Sequence, residues 1–192
     1  MRKFSLVSFF IMSFLIMISP CGLSHASGLQ PAVKEYRKAD RLFAAAKYQE
    51  AIPLYQQVLA APPEDAVLGD IHTKIGDSYF RLGSFRSALD SYRSALREQK
   101  RSERPQTQYW IGFCCLLLGR DGEAVTELLK IPEFYPESGM WVPTAYYWAG
   151  WASERMGKKD SAAEYYKKAA GGSGRSAQGR AALKRAAAVK GK

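Results

Sequence analysis

The chain has 192 residues, 47% hydrophobic and 24% charged, so it can bury a core and is unlike a disordered polymer. Its three cysteines exclude a disulfide-stapled scaffold, and its two histidines leave little for a histidine-based metal or catalytic site. The formal net charge of +10 favours nucleic acid, an anionic surface or an acidic partner. Composition therefore indicates a binding protein more than a metalloenzyme.

The N-terminal segment has the order of a secretory signal peptide. Arg2 and Lys3 precede an uncharged, largely apolar run at 4–19, and the small residues of Ser24-His25-Ala26 follow. As a helix this run would be about 24 Å long, shorter than the ~30 Å hydrocarbon core of a bilayer. We therefore expect cleavage after Ala26, a signal peptide at 1–26 and a periplasmic protein.

Cys21 allows a second interpretation of the same segment. Ile18-Ser19-Pro20-Cys21 resembles a bacterial lipobox, in which the cysteine is lipidated and becomes the new N-terminus. Pro20 departs from the Gly, Ala or Ser that the lipobox has before its cysteine. A lipoprotein and a form anchored by an uncleaved signal are the alternatives to a soluble exported protein.

Four sets of positions then repeat along the chain with spacings of 37, 36 and 38 residues. The sets are Ala39, Gly76, Gly112 and Gly150; Ala46, Gly83, Gly119 and Gly157; Ala51, Ala88, Ala124 and Ala162; and Tyr55, Tyr92, Leu128 and Tyr166. Small residues let two helices approach closely, and a ring or a leucine fills the space beside them. Each copy therefore predicts a pair of helices, and the chain as a whole predicts an all-α repeat protein.

This pattern resembles the tetratricopeptide repeat (TPR), whose signature is W-x2-L-G-x2-Y, then A-x3-F, then P. The resemblance implies a right-handed α-solenoid of about four helix-turn-helix units, at 32–65, 69–102, 105–138 and 143–170. We expect the packing between helices to depend on Gly76, Ala88, Tyr92, Gly112, Ala124, Gly150, Ala162 and Tyr166. Pro132 comes early in the third unit, so its second helix is expected to stop near Ile131.

The C-terminal segment, 176–192, is predicted to be a basic capping helix and tail. Glycines at 171–174 predict a stop, and Ser176 could cap a last helix from Ala177 to about Val189, with Arg180, Lys184 and Arg185 on its polar side. A solenoid needs such a helix to cover its exposed end.

Outside the predicted signal peptide, where Arg2 and Lys3 add two positive charges, the basic character of the chain is confined to its C-terminal end. Residues 158–192 hold 10 basic and 2 acidic side chains, whereas residues 27–157 hold 16 of each. One interpretation is that this basic end binds an anionic surface. The other is that it is a solvated capping helix whose lysines keep it soluble. Nucleic acid is not expected, because an exported protein rarely meets it and no stacking motif interleaves the basic run.

In TPR proteins the first helix of each unit lines a concave groove, so the resemblance also implies a binding face. Its candidate residues are Tyr36, Asp40 and Phe43; Thr73, Asp77, Phe80 and Arg81; Tyr109, Phe113 and Leu116; and Tyr147, Trp151, Glu154 and Arg155. A neutral groove with many rings suits an extended or helical peptide with apolar anchors, with or without a basic residue. The alternative is that some rings, above all Tyr146 and Trp148 nearby, belong to the core between repeats.

Short phrases suggest a setting for such a scaffold. Three phrases, Tyr135-Pro136-Glu137-Ser138, Thr144–Gly150 and the segment 176–181, are similar to the repeat domain of the Tol–Pal periplasmic coordinator. They are also similar to the repeat lipoprotein of the outer-membrane assembly machine. These resemblances imply an adaptor that binds a protein or peptide in cell-envelope coordination or assembly. A membrane-tethered scaffold, held by lipidated Cys21 or by the basic tail, is the alternative.

An enzyme is not expected. After cleavage His72 is the only histidine, and spacing assigns it no serine, aspartate or cysteine partner. Cys114 and Cys115 are adjacent on a predicted helix, so they cannot form a disulfide without breaking it, and we interpret them as small packing residues. No metal and no cofactor are predicted.

Overall fold

The computed structural model describes residues 24–63, 66–171 and 177–191. Most of the predicted signal peptide (1–23), with the candidate lipidation site Cys21, lies outside the described residues. So do the glycine-rich segment 172–174 and the predicted cap Ser176. Within the described ranges, no helix combines the length and the apolar character needed to cross a bilayer.

The described residues fold entirely into helices and turns, without a β-strand. The helices are α1 (Ser24–Ala44), α2 (Tyr48–Ala60), α3 (Leu68–Arg81), α4 (Phe85–Glu98), α5 (Arg104–Leu117), α6 (Asp121–Phe134), α7 (Trp141–Arg155), α8 (Lys159–Ala169) and α9 (Ala177–Lys190). Each of α1 to α8 packs on the next helix in the chain, and α9 packs on α8. The predicted all-α solenoid with a C-terminal capping helix is confirmed.

A residue in the left-handed conformation ends the first helix of each pair. The φ angles are 74° at Gly83, 73° at Gly119 and 74° at Gly157, but the same place in the first pair holds Ala46 with a φ of 58°. The N–H of Gly83 donates to the Phe80 carbonyl, and the next N–H donates to the Tyr79 carbonyl, which closes the last turn of α3. Glycine adopts this conformation without a steric penalty, so the turn explains why glycine recurs there.

Helices within a pair approach each other at the glycines of the first helix. A β-carbon at Gly76 would lie 2.7 Å from Cε1 of Tyr92, and one at Gly150 would lie 2.9 Å from Cδ1 of Tyr166. At Gly112 the neighbour is Cγ of Leu128, 2.6 Å away. The recurring alanines of the second helices are fully buried: Ala51, Ala88, Ala124 and Ala162. The repeated small and large residues thus set the distance between paired helices.

One helix boundary differs from the expectations. The helix α6 continues to Phe134, so the prediction that it stops near Ile131 is wrong. Pro132 lies in the last turn of α6, where its missing N–H removes only one helical hydrogen bond, and Tyr135 N–H still bonds to the Ile131 carbonyl at 2.8 Å. The helix α1 begins at Ser24, so the start of the predicted first unit, near residue 32, lies within this helix.

The last helix covers the open end of the solenoid. Ala182, Ala186 and Val189 of α9 are buried against a cluster that includes Tyr166 of α8. Arg185 lies beside this buried stripe, with its side chain 42% exposed. From the polar side of α9, the Arg185 guanidinium reaches the preceding repeat, where it donates to Glu154 and to the Tyr166 hydroxyl.

Candidate functional site

The first helices of the repeats, α1, α3, α5 and α7, carry the predicted binding residues, and we call the surface they form the groove face. Rings on neighbouring first helices touch along it. Phe80 of α3 lies 6.2 Å from Phe113 of α5, and Phe113 lies 4.9 Å from Trp148 of α7, measured between ring centroids. Trp148 in turn lies 5.8 Å from Trp151. A continuous row of half-buried rings therefore links the second, third and fourth units.

A depression of about 400 Å³ opens between α5 and α7 beside this row. It is lined by Phe113, Leu116, Leu117, Gly119, Trp148, Trp151 and Arg155. Leu117 is 43% exposed, whereas Leu116 is buried beneath the surface. The depression is thus apolar, open to solvent and bordered by one cation.

That cation, Arg155, is held in place by three contacts. Its Nε lies 3.3 Å from Oδ2 of Asp121, and its guanidinium lies 4.6 Å from the ring centre of Trp151. Its Nη1 also donates to the Leu116 carbonyl at 3.5 Å. These contacts fix Arg155 as the polar edge of the depression.

Tyrosines of the second helices are hydrogen-bonded to carboxylates on the groove face in three of the four units. Tyr55 donates to Oδ1 of Asp40 at 2.6 Å, and Tyr92 donates to Oδ1 of Asp77 at 2.7 Å. Tyr166 donates to Oε2 of Glu154 at 2.9 Å; the third unit has Leu128 at this position and lacks the bond.

The carboxylates change the acidity of these tyrosines. Burial and the neighbouring Asp40 raise the pKa of Tyr55, and burial and Asp77 raise that of Tyr92. Burial also raises the pKa of Tyr166, to about 12, with Arg185 opposing the rise. All three hydroxyls therefore stay protonated near neutral pH and act as donors.

The structure places the predicted groove residues in three environments, two of which lie in the second to fourth units. Phe80, Tyr109, Phe113 and Trp151 belong to the row of rings around the depression, together with Arg155. Tyr147 instead contacts Tyr166 at 5.5 Å and packs on the cluster formed with α9.

The first unit contributes separately. Tyr36 lies 6.0 Å from Tyr55 and borders a smaller apolar depression of about 230 Å³ between α1, α2 and α3. The ring centroids of Phe43 and Tyr48 lie 5.5 Å apart, and the Lys74 ammonium lies 4.7 Å from the centre of the Phe43 ring. Arg81 is exposed, and Thr73 donates to the Gly69 carbonyl within α3. These residues do not reach the depression between α5 and α7.

Two residues were missing from the predicted set although they shape the site. Trp148 lines the depression, and Trp110 lies 5.0 Å from Phe80 and joins the row of rings. Both tryptophans occupy a position that repeats with the spacings of the units, since Lys74, Trp110 and Trp148 are 36 and 38 residues apart. This repeated position is the feature of the sequence that identifies them.

Other reactive side chains lie away from this surface. Burial raises the pKa of both Cys114 and Cys115 to about 12, which keeps the thiols protonated and unreactive. Burial also lowers the pKa of His72, against the opposing charge of Glu98. In the part of the chain that the structure describes, no three His, Cys, Asp or Glu side chains are grouped to hold a metal ion.

Comparison with protein families gives the class of the molecule. A model of the tetratricopeptide repeat matches residues 36–69 and 73–138, and a second model of the same repeat matches residues 143–171. The chain therefore belongs to the tetratricopeptide repeat family, whose members serve as scaffolds for protein or peptide partners.

Solved structures share the fold at low sequence identity. The crystal structure of MamA protein is 20% identical, with 84% of each chain covered and a TM-score of 0.67. A MamA RS-1 double mutant is 17% identical, with 83% of this chain and 85% of that chain covered and a TM-score of 0.66. A tetratricopeptide repeat protein from Parabacteroides merdae ATCC 43184 is 17% identical, with 84% and 61% covered and a TM-score of 0.70.

The comparison with curated proteins gave no match. The family and fold matches do not show the resemblance to the Tol–Pal coordinator or to the outer-membrane assembly lipoprotein, which stays a prediction.

Proposed function

We propose that the chain is an exported, envelope-associated scaffold that binds a peptide or protein segment on its groove face. The observation that carries this proposal is the depression of about 400 Å³ between α5 and α7. Its volume falls within the ~300–1,000 Å³ typical of ligand pockets, and large rings at the centre of a groove are common binding hot spots. An apolar anchor of the partner would enter this depression.

Arg155 and the exposed Leu117 suit the rim of such a site. Leu117 offers apolar surface that the fold leaves uncovered, although its neighbour Leu116 is buried. Arg155 lies at the edge, where it can meet polar groups of a bound segment without losing its contact to Asp121. This arrangement favours a partner with one or two large apolar side chains.

Export is the second element of the proposal, and it is supported by the sequence of the first 26 residues. We expect a mature protein that begins near Ser27 in the periplasm and acts there as an adaptor in envelope coordination or assembly. Lipidation of Cys21, or contact of the basic C-terminal segment with an anionic surface, would make the same scaffold membrane-tethered. Mass spectrometry of the mature N-terminus separates these forms, and full-length protein in the cytosol would contradict export.

Site-directed photo-crosslinking tests the groove. A photoreactive phenylalanine analogue at Leu117, which lines the depression, should give a discrete adduct in envelope extract. The same analogue at Phe134, which is 49% exposed at the end of α6, is the matched control and should not give that adduct. Equal adducts from both positions, or none from Leu117, would contradict binding on the groove face.

A further inference from the structure

A three-membered arrangement recurs on the groove face at the two ends of the solenoid. A tyrosine of a second helix donates to a carboxylate of its own first helix, and a cation from the next helix pairs with that carboxylate. At one end Lys74 Nζ lies 3.2 Å from Oδ1 of Asp40, which also accepts from Tyr55.

At the other end the cation comes from the capping helix. Arg185 Nη1 lies 3.0 Å from Oε2 of Glu154, which also accepts from Tyr166. Both end carboxylates thus have a cation supplied by the chain itself.

Asp77 accepts a hydrogen bond from a tyrosine, but no cation among the described residues forms an ion pair with it. Its Oδ1 accepts from Tyr92, yet the position that corresponds to Lys74 in the next unit holds Trp110. The ion pairs formed among the described residues involve Asp40 and Glu154 but do not include Asp77. Arg81, one turn further along α3, is exposed and lies beyond ion-pair distance.

The surroundings of Asp77 are suited to a cation. Trp110 stacks on Tyr92 with ring centroids 6.4 Å apart and lies 5.0 Å from Phe80, so aromatic surface adjoins the carboxylate. Burial raises the pKa of Asp77, while the hydrogen bond from Tyr92 and the charges of Arg81 and Lys74 lower it in part. An added cation would stabilise the ionised carboxylate, and its aliphatic stem could lie on the rings.

We propose that a basic side chain of the bound partner pairs with Asp77, so that the groove face selects a segment with a lysine or arginine near a large apolar residue. This inference rests on the proposed function and names the chemistry of its partner. The cation would supply to Asp77 the positive charge that Lys74 and Arg185 supply to the other two carboxylates. The apolar residue would enter the depression between α5 and α7.

The fold also sets the spacing of the two anchors. Neighbouring helix axes lie about 8–10 Å apart, so the depression is about 12–15 Å from α3. An extended segment rises ~3.3 Å per residue, so about four residues separate the basic side chain from the apolar one. The preference for a basic side chain must arise from contacts near Asp77, because the chain as a whole carries a net charge of +10 and would repel a cationic peptide.

Two fluorescent peptide pools test the proposal by anisotropy titration of the purified protein. Both pools are nonapeptides with mixed Leu, Phe, Met and Trp at the last three positions, and position 3 is lysine in one pool and norleucine in the other. We expect the lysine pool to bind at least about fivefold more tightly than the norleucine pool. Asp77→Asn should abolish that difference without changing the affinity for the norleucine pool.

Asp40→Asn is the matched control, because Asp40 already pairs with Lys74. It should preserve the preference for lysine. Equal affinity of the two pools for the wild type, or a preference that survives Asp77→Asn, would overturn the proposal and leave the proposed function standing. An equal loss of preference in Asp40→Asn would overturn it as well.

Two further results would also overturn the inference. If the wild type shows no preference for the lysine pool and Arg81→Ala does, Arg81 pairs with Asp77 in solution. Failure of both pools to bind would remove the apolar anchor site, and with it the proposed function.

Discussion

At Gly76 the first helix of the second unit lies so close to Tyr92 that a β-carbon has no room. We therefore expect Gly76→Ala to destabilise the fold by about 1–3 kcal/mol through overpacking, and Gly76→Leu to cost at least as much. Ala88→Leu should act in the same way, because Ala88 is fully buried. Urea unfolding followed by circular dichroism measures the change.

Gly122 provides the control for this prediction. It lies in α6, and a β-carbon there would meet no atom within 4 Å. Gly122→Ala should therefore stabilise the helix by about 0.5–1 kcal/mol. Similar free energies of unfolding for Gly76→Ala and Gly122→Ala would show that the close approach to Tyr92 does not make a β-carbon at position 76 destabilising.

Ala46 occupies the left-handed position that glycine holds in the other three units. A left-handed conformation costs an ordinary L-residue about 1–2 kcal/mol, part of which glycine loses again through its larger unfolded-state entropy. Ala46→Gly should raise the free energy of unfolding by about 0.5–1 kcal/mol. The neighbouring Ala45→Gly should not stabilise the chain; a gain there equal to that of Ala46→Gly would contradict this explanation.

At the scale of single elements, sequence and structure agree where one periodic pattern determines a helix pair. The 37, 36 and 38 spacings specify the buried alanines and the glycine contacts, because these residues act within one pair. The predicted stop near Ile131 is wrong because proline removes only its own N–H donor, and beyond Pro132 the Tyr135 N–H still donates to the Ile131 carbonyl. The environment of Tyr147 was not predictable either, because its neighbours Tyr166 and α9 lie far along the chain.

The capping helix α9 is attached through both apolar and charged contacts. Arg185 donates to Glu154 and to the Tyr166 hydroxyl, while Lys184 is exposed. Arg185→Ala should destabilise the chain by no more than about 1 kcal/mol, because the ion pair is partly exposed. The larger effect should be local: amide hydrogen exchange within 177–191 should accelerate.

Lys184→Ala is the matched variant for α9. It removes a positive charge one residue away, so it should leave hydrogen exchange in α9 unchanged. If both variants accelerate exchange equally, net charge rather than the contact with Glu154 and Tyr166 holds the helix.

At the scale of the whole molecule, contacts run mainly between consecutive helices, as expected for a solenoid. The groove face is therefore assembled from separate units, and the row of rings from Phe80 to Trp151 exists only because three first helices align. Sequence register located most of these residues. It could not show that Phe80, Phe113 and Trp151 border one depression, because that depends on distances between repeats.

The most direct test of the groove compares three variants for binding to the partner that is crosslinked at Leu117. Phe113→Ala with Trp151→Ala removes rings from the depression, and Leu117→Glu alters it at an exposed position that the core does not need. Lys167→Glu with Lys184→Glu instead changes exposed charges of the basic C-terminal end, 158–192, without removing the packed helix α9. Circular dichroism establishes that each variant is folded.

Calorimetric and kinetic titration at two salt concentrations then gives the decisive measurement. The ring variant and Leu117→Glu should each weaken binding by well over tenfold, because truncating a central hot spot costs about 2 kcal/mol or more. The charge variant should mainly lower the association rate and its dependence on salt. Folded groove variants that bind like the wild type, together with loss of binding in the charge variant, would contradict recognition by the groove face.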